Sequence, residues 1–138
     1  MRFCKSCALA LVLVLAVFAA GAQQAPTLAG RWEGVLTPDV RSGSRELGPR
    51  REGVRLATVM VITGTPGAYA GTFTSVTQNN FRTELGKVEL DGAAVYISVP
   101  GWGGRYEGKL SDDGSKMEGR WIQNGLRTPF VLTRVAAQ

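Results

Sequence analysis

The chain has 138 residues, with 16 basic residues, 11 acidic residues, no histidine and two cysteines, and its formal net charge is +5. This length fits a single domain and leaves no room for a second one. The absence of histidine excludes His-assisted serine nucleophiles, and the small positive excess does not by itself indicate binding to nucleic acid.

The first predicted element is a secretory signal peptide over residues 1–22. Arg2 and Lys5 precede an apolar run at 8–20, and the small residues Ala20-Gly21-Ala22 suit cleavage before Gln23. A membrane anchor is the alternative, but the run is shorter than the roughly 20 residues that a spanning helix needs. We therefore expect a periplasmic or secreted protein with no membrane span after cleavage.

Both cysteines, Cys4 and Cys7, lie before the apolar run and would be lost with the signal peptide. We expect neither a disulfide nor a redox or metal role for their Cys-x-x-Cys spacing. Without Arg2 and Lys5, 14 basic residues remain against 11 acidic ones, so residues 23–138 carry a net charge of +3. A continuous hydrophobic core must hold this one β-barrel domain together.

The rest of the chain alternates apolar and polar residues with a period of two, which predicts an all-β domain of about eight strands. Tight turns at Asp91-Gly92, Asp112–Ser115 and Asn124-Gly125 join neighbouring antiparallel strands and indicate up-and-down topology. The predicted strands are 30–37, 54–63, 69–76, 85–90, 93–99, 104–111, 115–123 and 126–134.

One face of these strands is apolar and the other is charged. A single sheet with one apolar face must close on itself or be covered, so we expect a closed barrel. The apolar face comprises Trp32, Leu36, Leu56, Met60, Ile62, Phe73, Val88, Leu90, Val95, Ile97, Val99, Tyr106, Leu110, Met117, Trp121, Phe130 and Leu132.

An octapeptide pattern occurs twice, at 30–37 and at 104–111, and both copies read Gly-Arg-aromatic-Glu-Gly-x-Leu-hydroxyl. Alternation places the aromatic residue, the second glycine and the leucine on one face. Gly71 and Gly119 also lie two residues from an aromatic residue. Such glycines allow the sharp strand bends that a small barrel requires.

With Gly30-x-Trp32 on the first strand and Arg134 on the last, the chain resembles the calycin superfamily, the lipocalins and their relatives. The resemblance implies a barrel closed at one end by Trp32, with Arg134 packed across it. Such a cation–π contact is worth about 0.5–2 kcal/mol. The chain departs from typical lipocalins because it is shorter and has neither a C-terminal helix nor a Thr-Asp-Tyr motif.

The chain looks still more like a small β-barrel domain of exported bacterial proteins that sometimes precedes an α/β-hydrolase domain. The similar segments are Gly30–Leu36, Gly104–Gly114, Gly119–Gly125 and Pro129–Arg134. This resemblance implies the fold and brings no assigned activity. Any accessory role would be exerted on a separate protein.

We expect neither an enzyme, nor a metal site, nor a cofactor. Carboxylates alone remain for acid–base chemistry, and Glu33, Glu107 and Glu118 fall on the charged outer face. No pair of carboxyl groups is expected inside the barrel, which a glycosidase would need.

Two functions remain open. The first is a module that binds a small hydrophobic ligand in the barrel interior or mouth. Interior glycines leave room for a ligand and interior aromatic residues fill it again, so the sequence does not decide. The candidate ligand-binding residues are Trp32, Leu36, Met60, Phe73, Tyr106, Met117, Trp121 and Phe130.

The second is a non-enzymatic interaction or accessory module that acts on another envelope protein, for example a hydrolase, through its surface and the loop at 38–53. Long loops in compact domains are often functional, although a solvated loop is the simpler interpretation. Trp102 lies in a second, glycine-rich loop. The candidate partner-binding residues are Arg41, Arg45, Arg50, Arg51 and Trp102.

Overall fold

A computed structural model describes residues 25–38 and 54–136 of the chain. The predicted signal peptide and most of the 38–53 loop lie outside the described residues. The described chain forms a nine-stranded sheet. Its strands are β1 (Gly30–Leu36), β2 (Leu56–Thr63), β3 (Ala70–Ser75), β4 (Phe81–Glu84), β5 (Val88–Asp91), β6 (Ala94–Val99), β7 (Gly104–Leu110), β8 (Lys116–Gln123) and β9 (Leu126–Val135).

All strand pairs are antiparallel, and the order across the sheet is β4-β3-β2-β1-β9-β8-β7-β6-β5. Apart from β4 and β5, strands that are consecutive in the chain are neighbours in the sheet, and the last strand also pairs with the first, Trp32 opposite Arg134. The sheet curls into a half-barrel. The predicted all-β, antiparallel, up-and-down architecture is therefore confirmed.

The count of nine strands rather than eight arises around the predicted strand 85–90. Leu85 N donates to Gly71 O of β3 at 2.9 Å, and Gly86 N donates to Ser98 O of β6 at 2.8 Å. Two consecutive residues thus carry the chain from one edge strand of the sheet to the other, while β4 and β5 do not pair with each other. Strand β4 was not predicted because its sequence, Phe-Arg-Thr-Glu, has no fully buried residue.

The core lies on the concave face of the sheet. Burial alternates along most strands, as in β1, where Trp32 and Leu36 are buried and Arg31 and Glu33 are exposed. Every residue of the predicted apolar face is buried except Leu90, which is partly buried. Full burial of one such side chain stabilises the fold by about 1.5–3 kcal/mol, so this face carries the stability of the domain.

The strand glycines allow close packing inside the barrel. Gly108 pairs with Gly119 across β7 and β8. A Cβ atom added at Gly108 would lie 2.5 Å from the Tyr106 hydroxyl and 2.5 Å from Glu118 O. The space above this glycine is therefore occupied by protein atoms.

Candidate functional site

The two ends of the half-barrel differ in how they are covered. One end, here called the closed end, holds the start of β1, the end of β9 and the turns at 64–69 and 111–115. The opposite end, here called the mouth, holds the end of β1 and the turns at 76–80, 100–103 and 124–125. This division follows from the antiparallel order of the strands.

At the closed end, the segment before β1 folds back over the barrel. Leu28 is fully buried in the core. Its backbone N–H donates to the Tyr69 hydroxyl at 3.1 Å, and its carbonyl oxygen accepts from Trp32 Nε1 at 2.9 Å. The buried indole and the segment that covers it thus satisfy each other's polar groups, as buried donors require.

Arg134 completes this end. Its Cζ lies 4.2 Å from the centroid of the Trp32 ring, which is the contact that the resemblance implies. Its Nε donates to Gly114 O at 2.9 Å, its Nη2 to Thr27 O at 2.6 Å, and its Nη1 to Ala29 O. Partial burial lowers the pKa of Arg134 below its ordinary value. Arg134 therefore ties the chain before β1 to the turn before β8.

The eight candidate ligand-binding residues all lie in one core cluster. None of them is more than 2% exposed. Tyr106 and Phe130 meet edge to face, with ring centroids 5.9 Å apart. Burial raises the pKa of Tyr106, and its hydroxyl has no hydrogen-bond partner among the described residues. These side chains fill the described interior by packing against one another.

Of these eight residues, Phe73 and Trp121 extend to the mouth, where they meet Trp102. The Trp102 ring lies edge-on to Phe73 and to Trp121, with ring centroids 5.0 Å and 6.1 Å apart. Phe73 and Trp121 stack with their ring centroids 5.5 Å apart. The Phe81 ring is tilted relative to the Trp102 ring, and their centroids are 6.3 Å apart. We call Phe73, Phe81, Trp102 and Trp121 the mouth aromatic cluster.

Local sequence explains how Trp102 reaches this cluster. A short 3-10 turn spans Pro100–Trp102 and begins with proline, whose fixed φ suits the first position. Gly103 ends the turn with φ of 65°, a conformation that glycine adopts without strain, and its N–H donates to Pro100 O at 3.0 Å. The turn folds the indole back against Phe73 instead of leaving it in solvent.

Polar groups at the mouth are only partly paired. Gln123 accepts from Trp121 Nε1 at 3.0 Å and donates to Trp102 O at 2.5 Å. Trp102 Nε1 and Ser75 Oγ are buried and have no partner among the described residues. Such groups are costly when they are buried without a partner.

A surface cavity of about 80 Å³ opens beside the cluster. Water in the liquid occupies about 30 Å³ per molecule, so this cavity holds only a small group. One lining residue, Trp121, belongs to the mouth aromatic cluster, and another, Gln123, forms hydrogen bonds with Trp121 and Trp102. The lining residues are Pro38, Trp121, Gln123, Asn124, Leu126 and Thr128.

Large apolar side chains are exposed around the mouth. Val54 is 64% exposed, Phe81 51% and Leu126 46%. Phe81 lies opposite buried Ser75, and Leu126 opposite Gln123, so both residues share the inner face of the sheet. Val54 lies two residues before Leu56, the first residue of β2. We call Val54, Phe81 and Leu126 the apolar lip.

The sequence analysis missed Phe81, Gln123 and Leu126 as site residues. Each lies at the start or the end of a strand, at the mouth. The signal for Leu126 was present, because it extends the alternation of buried Thr128 and Phe130 back to the first residue of β9. Trp102, predicted as a partner-binding residue, lies at the mouth.

The other predicted partner-binding residues, Arg41, Arg45, Arg50 and Arg51, lie outside the described residues. Over the ranges 25–38 and 54–136, no group of three or more histidine, cysteine, aspartate or glutamate residues could hold a metal ion. No helix in this part of the chain is long and apolar enough to cross a membrane.

A scan against protein-family models and a search of curated proteins both find no match to the chain.

Proposed function

We propose that this protein is an exported, lipocalin-like binding barrel that takes a small hydrophobic ligand at its mouth. The observation that carries the proposal is the mouth aromatic cluster, in which Phe81 is half exposed and the Trp102 indole N–H has no partner among the described residues. Aromatic surface beside a few unpaired polar groups is typical of small-molecule sites.

The mouth supports this role better than the interior does. Interior candidates such as Trp32, Met60 and Met117 are fully buried among other core side chains. A ligand there would have to displace them, and cavities in protein cores are costly to open. Against the mouth cluster a flat apolar ligand would bury the exposed face of Phe81 without unpacking the core.

A ligand with an apolar body and one hydrogen-bond acceptor fits this geometry. Its apolar body would gain roughly 25 cal/mol for each Å² removed from water. Its acceptor would pair with Trp102 Nε1 or with the Ser75 hydroxyl. Pairing a buried donor that otherwise has no partner adds specificity, because a ligand without the acceptor leaves that donor desolvated.

An interaction module acting on another envelope protein is the second candidate, and the exposed apolar lip favours it. Contiguous exposed apolar residues often mark protein interfaces. On this proposal the lip and Trp102 would bind the partner, together with the arginines at 41–51. We propose no enzymatic activity for either role.

Native mass spectrometry of the protein purified from its own envelope tests the first proposal. We expect a stoichiometric apolar adduct that organic extraction releases. Leu126→Ser should abolish the adduct, and Val131→Ser should retain it. Both residues lie on β9 and are 46% exposed, but Val131 lies in the wall, away from the mouth. A bare mass for the natural protein would reject the ligand and favour the interaction module.

A further inference from the structure

Each residue of the apolar lip is followed in the chain by an arginine. The pairs are Val54-Arg55, Phe81-Arg82 and Leu126-Arg127. All three arginines are exposed. Because side chains alternate along a strand, Arg82 of β4 and Arg127 of β9 point to the outer side of the sheet, opposite to Phe81 and Leu126. Arg55 and Val54 lie directly before β2. We call Arg55, Arg82 and Arg127 the arginine collar.

The collar and the lip lie on, or directly before, strands that alternate across the sheet. Phe81-Arg82 begins β4, Leu126-Arg127 begins β9, and Val54-Arg55 directly precedes β2. These strands are separated by β3 and β1. Neighbouring strands lie about 4.8 Å apart, so successive lip positions are about 10 Å apart along the rim. The rim therefore presents three apolar side chains in an arc with three guanidinium groups outside them.

Charge is distributed unequally between the two ends. The described residues of the mouth turns, 76–80, 100–103 and 124–125, contain no carboxylate. The closed end carries Asp112 and Asp113. Among the described carboxylates, none lies within salt-bridge distance of a collar arginine. No described carboxylate therefore pairs with the collar.

We propose that the mouth rim docks onto an anionic lipid bilayer surface. The apolar lip would enter the boundary between headgroups and acyl chains, and the collar would contact lipid phosphates. Apolar side chains beside basic ones are the pattern of interfacial membrane binding, and each basic residue near an anionic surface strengthens binding measurably. Guanidinium groups suit phosphate because they bind it through two parallel hydrogen bonds.

A bilayer fits this rim better than a protein groove or peptide does. Contacts spread along an arc of five strands can meet a flat surface at once, and one surface supplies both the apolar and the anionic chemistry. This docking goes beyond the proposed ligand binding and does not depend on it. A filled barrel with no ligand would still carry the lip and the collar.

Co-sedimentation with lipid vesicles tests the docking, using the chain from Gln23 onward, the start expected after signal cleavage. We expect binding to phosphatidylcholine vesicles that contain phosphatidylglycerol, and weaker binding as salt increases, because exposed charges are screened. Pure phosphatidylcholine should bind far less. The triple variant Arg55→Gln, Arg82→Gln, Arg127→Gln should bind anionic vesicles on the order of 100-fold more weakly.

The matched control is the triple variant Lys109→Gln, Lys116→Gln, Arg120→Gln, which removes the same charge from exposed positions away from the mouth. It should lose less than about threefold in affinity, because the docking is local to the rim. Phe81→Ser with Leu126→Ser should also weaken binding while Val131→Ser does not.

Three results would overturn the docking proposal. They are no binding to anionic vesicles, equal binding to neutral vesicles, and equal losses in the rim and control triples. Capture of an envelope protein by the natural chain but not by the rim triple, without vesicle binding, would assign the rim to a protein partner instead. The ligand adduct in native mass spectrometry is measured without vesicles. Its presence or absence therefore does not change the result of the vesicle experiment.

Discussion

The closed end and the mouth combine the same types of residue and use them differently. At the closed end Trp32 lies under Arg134, and the indole N–H and every guanidinium nitrogen bond to a backbone carbonyl. At the mouth Trp102 lies beside exposed Phe81, and its indole N–H has no described partner. Trp32 and Arg134 are therefore fully paired at the closed end, whereas Trp102 at the mouth lies against partly exposed apolar surface.

Burial and pairing, rather than residue type, separate the two ends. Paired and desolvated groups contribute to the stability of the fold, whereas exposed apolar groups contribute little to it. We therefore expect substitutions at the closed end to lower the free energy of unfolding. Substitutions at the mouth should lower it less and should alter binding.

The largest effect is expected for Trp32→Ala. Removal of a fully buried aromatic side chain from a core typically costs about 3–5 kcal/mol of the free energy of unfolding. Trp102→Ala should cost less than about half of that, because Trp102 is only partly buried. Urea unfolding followed by circular dichroism measures both. Equal losses would show that the mouth is as much a part of the core as the closed end.

Arg134→Met should have the next largest effect, a loss of about 2–4 kcal/mol, because the bonds to Thr27, Ala29 and Gly114 disappear. Methionine keeps an apolar chain over Trp32, so the loss reports mainly on the hydrogen bonds. Arg127→Met at the mouth is the control and should change stability by less than about 0.5 kcal/mol. A similar loss for both variants would contradict the distinction between the ends.

A smaller effect is expected from pH at the closed end. A hydrogen bond from the Ser115 backbone N–H, with further bonds from the Ser111 and Ser115 hydroxyls, holds the pKa of Asp113 at about 2, below its ordinary value of 3.8. A carboxylate with a lowered pKa stabilises the fold above its unfolded pKa, and this stabilisation is lost as the pH falls through the folded pKa.

The contribution of Asp113 should therefore disappear between about pH 4 and pH 2. Urea midpoints of the natural protein and of Asp113→Asn, measured across that range, should differ at pH 5 and converge at pH 2. A difference that persists unchanged at pH 2 would show that the carboxylate charge does not stabilise this turn.

The smallest effect on stability is expected for Ser75→Ala. The Ser75 hydroxyl is buried without a described partner, so its removal should leave stability unchanged or slightly raised. Thr58→Ala on the neighbouring strand is the control. Its hydroxyl donates to Gly34 O at 2.9 Å, and its loss should cost about 1 kcal/mol. If Ser75→Ala were the more costly change, the hydroxyl would have a structural role.

The inner face of the barrel could be predicted from the sequence because it depends on a local rule. Side chains in strands alternate, so Trp32 and Leu36 identify the inner face of β1 without any knowledge of its neighbours. The same rule also applies to Phe81 and Leu126 at the mouth. We missed them because a residue at a strand end is exposed even when it lies on the inner face.

The break between β4 and β5, at the start of the predicted strand 85–90, and the position of Trp102 could not be predicted in this way. The first depends on Leu85 and Gly86 bonding to two different strands, β3 and β6. The position of Trp102 depends on a 3-10 turn that places its indole against Phe73, 29 residues earlier in the chain. Both are long-range contacts, and no periodicity in a short stretch of chain encodes them.

The most direct test of the account uses the three tryptophans, each of which has its own indole N–H signal in a ¹H–¹⁵N spectrum. Trp32 lies at the closed end, and Trp102 and Trp121 lie at the mouth. Titration with the apolar dye 1-anilinonaphthalene-8-sulfonate should shift the signals of Trp102 and Trp121 and leave that of Trp32 in place. A shift of the Trp32 signal as large as the others, or no shift of any signal, would contradict binding at the mouth.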